Sequence, residues 1–128
     1  MPLIVDKRLS ILESDHDIST GVFLKNKDWV QIHSSGRVWA GLWFTPENGP
    51  EGLRSLRSGN NFPLPSASPF SLLGKTAADG YFLIGDSLER TYLNQTSGSG
   101  ETELYLRIND DLSGNGTGAF VVHIQVWR

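Results

Sequence analysis

The chain has 128 residues, with 14 Asp and Glu against 11 Lys and Arg, and no Cys. This length predicts a single domain over 1–128 whose core needs no crosslinks, and the missing Cys excludes disulfides and thiolate metal sites. A net charge of −3 disfavours a sequence-independent grip on nucleic acid phosphates, which requires a basic face. We therefore expect no nucleic acid partner.

Targeting signals are not evident in the sequence. No apolar stretch approaches the roughly 20 residues of a membrane-spanning helix, so we expect no membrane insertion. Residues 1–6 lack the basic region and apolar core of a secretory signal. These features predict a cytoplasmic protein, or one released without a signal peptide.

Short runs of alternating apolar and polar residues follow one another along the N-terminal third. They predict strands over 8–13, 22–24 and 29–33, then a turn at Ser34-Ser35-Gly36 into a further strand over 37–44. Period-two alternation between closely spaced turn signals is typical of an all-β sandwich or barrel.

The middle of the chain, 45–68, is long and irregular. Within it, 50–59 predicts one short helical turn, because Pro50 suits the first helical position and Gly59 a C-terminal stop. Pro63 and Pro65 exclude a central strand here. Long ordered loops in compact domains are usually functional, so 45–68 is a second place to look for a site.

Alternation returns in the C-terminal half. A hairpin is predicted from 70–75 and 81–85 around the turn Ala77-Ala78-Asp79-Gly80, followed by strands over 88–93, 102–108 and 119–127. The alternation predicts one buried face in each of the last two strands. In the first it comprises Thr102, Leu104, Leu106 and Ile108, and in the second Phe120, Val122, Ile124 and Val126.

The segment between these two strands, 109–118, consists almost wholly of glycine and oxygen-bearing side chains. Calcium takes six to eight oxygen ligands, and Asp110 and Asp111 would supply the charge. Neutral oxygens are available from Asn109, Ser113, Asn115 and Thr117. The order of residues does not match an EF-hand loop, and composition alone favours a plain β-hairpin turn.

A family resemblance adds to this reading. The segment 106–111, followed by 114–124, resembles the C-terminal signature of the galactophilic bacterial lectins of the PA-I (LecA) type. The runs Asp28-Trp29-Val30-Gln31-Ile32, Gly49-Pro50-Glu51-Gly52 and Pro69-Phe70-Ser71-Leu72-Leu73-Gly74-Lys75 fall in that family's order. The resemblance covers about residues 20–126 and implies a jelly-roll-like antiparallel β-sandwich of bacterial origin that assembles as a homotetramer.

The resemblance also implies a calcium site that binds two vicinal sugar hydroxyls. Its ligands would be Asp110, Asn115, the backbone carbonyl of Ala40 and a carbonyl of Leu112 or Ser113. Gly116 replaces the family's second Asn, and Asp111 is the candidate to compensate. The family's His-Pro-Asp-Gln patch has no clear counterpart in 56–61. The candidate sugar contacts are therefore Trp39, Asn60 and Asn61, together with Asp110 and Asn115.

These observations predict a calcium-mediated lectin for galactose-type or related sugars, acting on carbohydrate or glycoconjugates as a tetramer or dimer. The alternative is a lectin-like interaction module that has lost the metal and binds protein, which Gly116 and the short loop favour. No enzyme is expected. The chain has no nucleophile-elbow pattern, and Asp110 and Asp111 are neighbours rather than carboxylates facing each other across a cleft.

Overall fold

The computed structural model describes residues 1–41, 45–93, 100–111 and 116–128. These residues form strands and turns, and no described helix is long and apolar enough to cross a membrane. In chain order the strands are β1 (Leu3–Leu12), β2 (Ile18–Leu24), β3 (Trp29–Trp39), β4 (Leu72–Thr76), β5 (Gly80–Leu83), β6 (Ser87–Thr91), β7 (Thr102–Ile108) and β8 (Thr117–Trp127).

The strands form two four-stranded antiparallel sheets packed face to face. The front sheet has the order β1-β8-β3-β6, and the back sheet has the order β2-β7-β4-β5. The predicted all-β antiparallel sandwich is thus confirmed. The predicted hairpin is also present, since β4 and β5 pair from Leu73 with Leu83 to Thr76 with Gly80.

The core lies between the sheets and is built from the faces that alternation predicts. Phe120, Val122, Ile124 and Val126 of β8 are completely buried, and Leu104 and Leu106 of β7 meet them from the back sheet. Because β8 lies between β1 and β3, it is an interior strand of its sheet. It therefore has no free edge with which to pair with a second copy of the chain.

The turn predicted at 34–36 does not form. Strand β3 runs without interruption from Trp29 to Trp39 and pairs with β8 along its whole length. Gly36 has φ +103, and a Cβ atom there would lie 2.5 Å from the carbonyl oxygen of Ala119. The glycine thus permits close approach of two strands rather than a reversal. The strand predicted over 37–44 is the end of β3, and 42–44 lie outside the described residues.

The helical turn predicted within 50–59 is wrong. Separate turns occur instead, closed by hydrogen bonds from Gly52 N to Gly49 O at 3.0 Å and from Leu56 N to Leu53 O at 3.2 Å. Gly52 has φ +82, and its missing Cβ leaves room for Pro69 O. A left-handed residue at this position is incompatible with a right-handed helix.

The connection between β7 and β8 is not a hairpin, contrary to the prediction. Strand β7 belongs to the back sheet and β8 to the front sheet. The chain therefore leaves the back sheet after Ile108 and enters the front sheet at Thr117, at one end of the sandwich, which we call the Asp110 end. Strand β3 also finishes at this end, because Trp39 pairs with Thr117.

The opposite end, which we call the Asp28 end, is closed by an ion pair whose carboxylate is buried. The Asp28 side chain is 1% exposed and receives Arg128 Nε and Nη2 at 2.9 Å each. Lys25 N also donates to it at 2.8 Å. Burial alone would raise the pKa of Asp28, but the hydrogen bonds from Arg128 and Lys25 and their positive charges outweigh it and lower that pKa.

Candidate functional site

A chain of hydrogen bonds ties the two sheets together at the Asp110 end. Val38 and Asn48 form an isolated bridge, with N–H to O distances of 3.0 and 2.8 Å. The Asn48 amide donates to Phe70 O at 2.9 Å, and Phe70 N donates to Asn109 O at 2.7 Å. These bonds bring the end of β3, and with it Ala40, to the same end of the molecule as 109–111.

Asn109 organises the middle segment. Its side chain is fully buried. Its Oδ1 accepts from Leu64 N at 3.0 Å, and its Nδ2 donates to Leu64 O at 3.0 Å, Ser68 O at 3.1 Å and Ser58 Oγ at 3.2 Å. Both the oxygen and the nitrogen of the side-chain amide are thus hydrogen-bonded within the fold. The expectation that Asn109 supplies an oxygen to a cation is not supported.

The two neighbouring carboxylates differ in environment. The Asp110 residue is 2% exposed, whereas Asp111 is exposed to solvent. The alternation of the chain at the end of β7 thus directs Asp110 into the end of the sandwich and Asp111 away from it. Of the two predicted acidic ligands, Asp110 is the one with the burial that a built binding site requires.

Gly116 lies directly against the end of β3. A Cβ atom on it would be 1.8 Å from Trp39 O and 2.9 Å from the carbonyl carbon of Ala40. An Asn side chain at this position would require the backbone to move. The missing side-chain oxygen is therefore a consequence of how closely β3 and the start of β8 pack, and Ala40 lies in contact range of the predicted loop.

Glu13 is a residue of this end that the sequence did not single out. It follows β1, is 1% exposed, and its Oε2 accepts from Gly116 N at 2.9 Å. Its own N–H bonds Gly118 O at 3.3 Å. Because β1 and β3 flank β8 on opposite sides, Glu13 and Trp39 hold Gly116 from both directions. Glu13 is thus placed to fix the position of the loop.

Trp39, the predicted sugar contact, is half-buried at the same end. Its indole N–H donates to Thr45 O at 3.0 Å, which fixes the ring beside the start of the middle segment. Two predicted ligands, Ser113 and Asn115, lie outside the described residues, as does Leu112. Their assignments stay predictions.

A cavity of about 410 Å³ opens beside Asn109. It is lined by Arg57, Ser58, Asn60 and residues 65–68. Ser58 and Ser68 also bind the Asn109 amide, so the cavity adjoins the residue that precedes Asp110. Its size lies within the range of small-ligand pockets. Of the two predicted amide contacts, Asn60 lines this cavity, and both Asn60 and Asn61 are exposed.

The side-chain atoms at this end that are candidates to bind a cation are oxygens. Asn48 Oδ1 is buried and has no hydrogen-bond partner among the described residues, and the Asp110 residue is buried as well. The described ranges contain no group of three or more His, Asp and Glu side chains that could hold a metal. An oxygen-only set with buried carboxylate suits a hard cation such as calcium, with backbone carbonyls completing the shell.

Comparison with known proteins identifies the fold. No family model and no curated protein matches the chain. A solved structure titled "EclA N-terminal domain; PllA-like lectin" superimposes with a TM-score of 0.63 at 18% identity. The match covers 98% of this chain and 98% of that one. The whole chain therefore has the β-sandwich fold of that lectin domain.

Proposed function

We propose that this protein is a carbohydrate-binding lectin whose site lies at the Asp110 end and holds calcium. The observation that carries the proposal is the position of the Asp110 carboxylate. It is buried at the end of a lectin-like sandwich, where Ala40, Trp39 and the start of β8 also meet. The sugars are of the galactose type or related ones with vicinal hydroxyls.

The residues that would hold the ion are Asp110, Asn115 and the backbone carbonyls of Ala40 and Ser113. When bound, calcium coordinates two vicinal hydroxyls and replaces the hydration that they lose. Asp110 brings the negative charge, and a carboxylate edge that faces a sugar also accepts its hydroxyl hydrogen bonds. Glu13 would act on the ion through Gly116, whose N–H it holds.

Two further parts of the Asp110 end extend the proposed site. Trp39 offers a flat apolar ring beside Ala40, and such rings pack against the C–H face of sugars. The cavity lined by Asn60 leaves room for the remainder of the ligand. We propose that several copies act together in a tetramer or dimer, since one weak sugar site gains avidity from multivalency.

We propose that the protein binds sugar without catalysing its hydrolysis. Glycoside hydrolysis requires two carboxyl groups that face each other across the scissile bond. Asp110 is buried and Asp111 is exposed, so this pair does not provide that arrangement.

The alternative function is a protein interaction module on the same fold. The contact of Gly116 with Trp39 O favours it, because it leaves no room for the family's second Asn ligand. Such a module would bind neither calcium nor sugar through Asp110.

Retention on immobilised galactose separates the two functions. We expect retention in millimolar calcium, elution by EDTA, and no retention of the Asp110→Asn variant. Asp86→Asn, a substitution of an exposed carboxylate outside the site, is the matched control and should behave as wild type. Failure of the wild-type protein to bind galactose and related sugars in calcium would favour the interaction module.

A further inference from the structure

A second cluster of charged and aromatic side chains lies on the outer face of the back sheet. Asp17, just before β2, is at its centre. Its Oδ1 accepts from Tyr81 OH at 2.7 Å and its Oδ2 from Lys75 Nζ at 3.1 Å. Arg107 Nη1 lies 3.6 Å from Oδ1. Lys75 also sits over the Tyr81 ring, 4.8 Å from its centroid.

The charge states of this cluster are fixed by its own contacts. Burial alone would raise the pKa of Asp17, but the hydrogen bonds from Tyr81 and Lys75 and the charges of Lys75 and Arg107 lower it. The hydrogen bond to Asp17 raises the pKa of Lys75. A carboxylate and an ammonium group therefore stand side by side throughout the neutral pH range.

An open cavity of about 270 Å³ adjoins this pair. It is lined by Asp17, Lys75, Thr76, Ala77 and Tyr105. Lys75 and Tyr105 are direct neighbours across β4 and β7, so the ring of Tyr105 forms a wall next to the ammonium group. Tyr105 precedes Asp110 by five residues, up to roughly 17 Å of extended chain, which separates this cavity from the calcium site proposed above.

We propose that this cavity is a second sugar-binding subsite that needs no metal ion. Neighbouring hydroxyls of a sugar ring each donate and accept hydrogen bonds. One hydroxyl donates to the Asp17 carboxylate while its neighbour accepts from the Lys75 ammonium group, and hydrogen bonds to charged groups are the stronger ones. The C–H face of the ring packs on Tyr105, which is half-buried.

The ligand class is a neutral pyranose with a vicinal diol. Asp17 is already paired with Lys75 and Arg107, so the carboxylate requires no cation from its ligand. Both Lys75 and Asp17 remain partly exposed, at 38% and 28% of their side chains, so both are reachable from solvent. This subsite does not depend on the calcium site and would function in its absence.

Amide chemical shifts of the 15N-labelled chain, recorded in EDTA, test the proposal. Methyl galactoside, methyl glucoside, methyl mannoside and methyl fucoside are titrated separately, each to 100 mM. We expect at least one of them to shift the amides of 75–77 and 105 with saturation on the order of millimolar. Because EDTA chelates calcium, the proposed calcium site cannot bind sugar in this titration. The result therefore reports on the metal-free subsite alone, whether or not the calcium site exists.

Four variants locate the binding. Ala77→Trp fills the cavity from an exposed position while keeping all the charged side chains and should abolish the shifts, whereas Leu83→Trp, exposed on the same sheet face, should not. Asp17→Asn should weaken binding at least tenfold, and Asp110→Asn should leave it unchanged. The proposal is overturned if none of the four sugars shifts these amides in EDTA, or if Ala77→Trp binds as wild type.

Discussion

The two ends of the sandwich both bury a carboxylate, yet each uses its polar groups differently. At the Asp28 end, Arg128 donates two hydrogen bonds to the carboxylate and closes the fold. At the Asp110 end, the Asn109 side chain is hydrogen-bonded within the middle segment and shapes it beside a cavity. The difference predicts that substitutions at the Asp28 end act mainly on stability, whereas substitutions at the Asp110 end also affect the binding proposed there.

The largest loss of stability is expected where one side chain organises a whole segment. Asn109→Asp replaces an amide donor with an oxygen that faces the carbonyls of Leu64 and Ser68. We expect it to lower the free energy of unfolding by about 3 kcal/mol, since buried groups left unsatisfied cost about 1–3 kcal/mol each. Urea denaturation measures this loss. Asn61→Asp, at an exposed position of the same segment, should change little.

Breaking the Asp28 end should cost slightly less. Arg128→Ala leaves the Asp28 carboxylate buried with the hydrogen bond from Lys25 N as its remaining one among the described residues, and we expect a loss of about 2–3 kcal/mol. This loss of stability lies at or below the lower end of the range for a broken buried ion pair, because the Arg128 side chain is 36% exposed. Arg37→Ala on the outer face of β3 is the control. An equal effect of the two substitutions would show that the ion pair does not close this end.

The same pair predicts how stability depends on pH. The pKa of Asp28 is lower in the folded than in the unfolded chain, so its stabilisation is complete above the unfolded value of about 4 and is lost as pH falls through the folded value. Unfolding followed from pH 6 to pH 2 should show a decline below about pH 4. The decline should be shallower in Arg128→Ala; an identical decline in that variant would contradict the assignment.

Glu13 links the stability of the Asp110 end to its proposed binding. Glu13→Ala removes the acceptor that holds Gly116 N, and we expect calcium affinity to fall about tenfold, as for other groups that orient metal ligands. Glu13→Gln retains an oxygen acceptor and should lose less. Calorimetric titration with calcium measures both affinities. An unchanged affinity of the Ala variant would show that Glu13 does not position the calcium site.

The smallest effect is expected at Trp39. Trp39→Phe keeps an aromatic ring but loses the hydrogen bond to Thr45 O, which predicts a loss of about 1 kcal/mol of stability. If the ring contacts sugar, Trp39→Ala should weaken galactose binding further, while calcium affinity stays the same. Weakening of both affinities together would mean that Trp39 only supports the loop.

Local patterns in the sequence predicted the core well. The alternation in β7 and β8 correctly identified their buried faces, because side-chain direction in a strand follows from the backbone alone. Gly36 was misread as a turn, because its role depends on the approach of Ala119 from β8. The β7–β8 connection was misread as a hairpin, because the choice of sheet depends on packing between distant segments.

The candidate site was predicted only where its residues carry local signals. Asp110 was singled out by its neighbours in the loop, and the structure buries it. Glu13 gave no such signal, since its burial depends on Gly116, which lies 103 positions further along the chain. Asn48 likewise takes its role from Val38 and Phe70, through contacts that no local pattern contains.

The melting temperature in excess EDTA and in saturating calcium tests the central claim most directly. At a hundredfold excess over the dissociation constant, calcium should stabilise the chain by about 2.7 kcal/mol. For a chain of this length that corresponds to a rise of roughly 10 °C. We predict this rise for the wild-type protein and its loss in Asp110→Asn. No rise in the wild type, or an equal rise in the variant, would contradict a calcium site at Asp110.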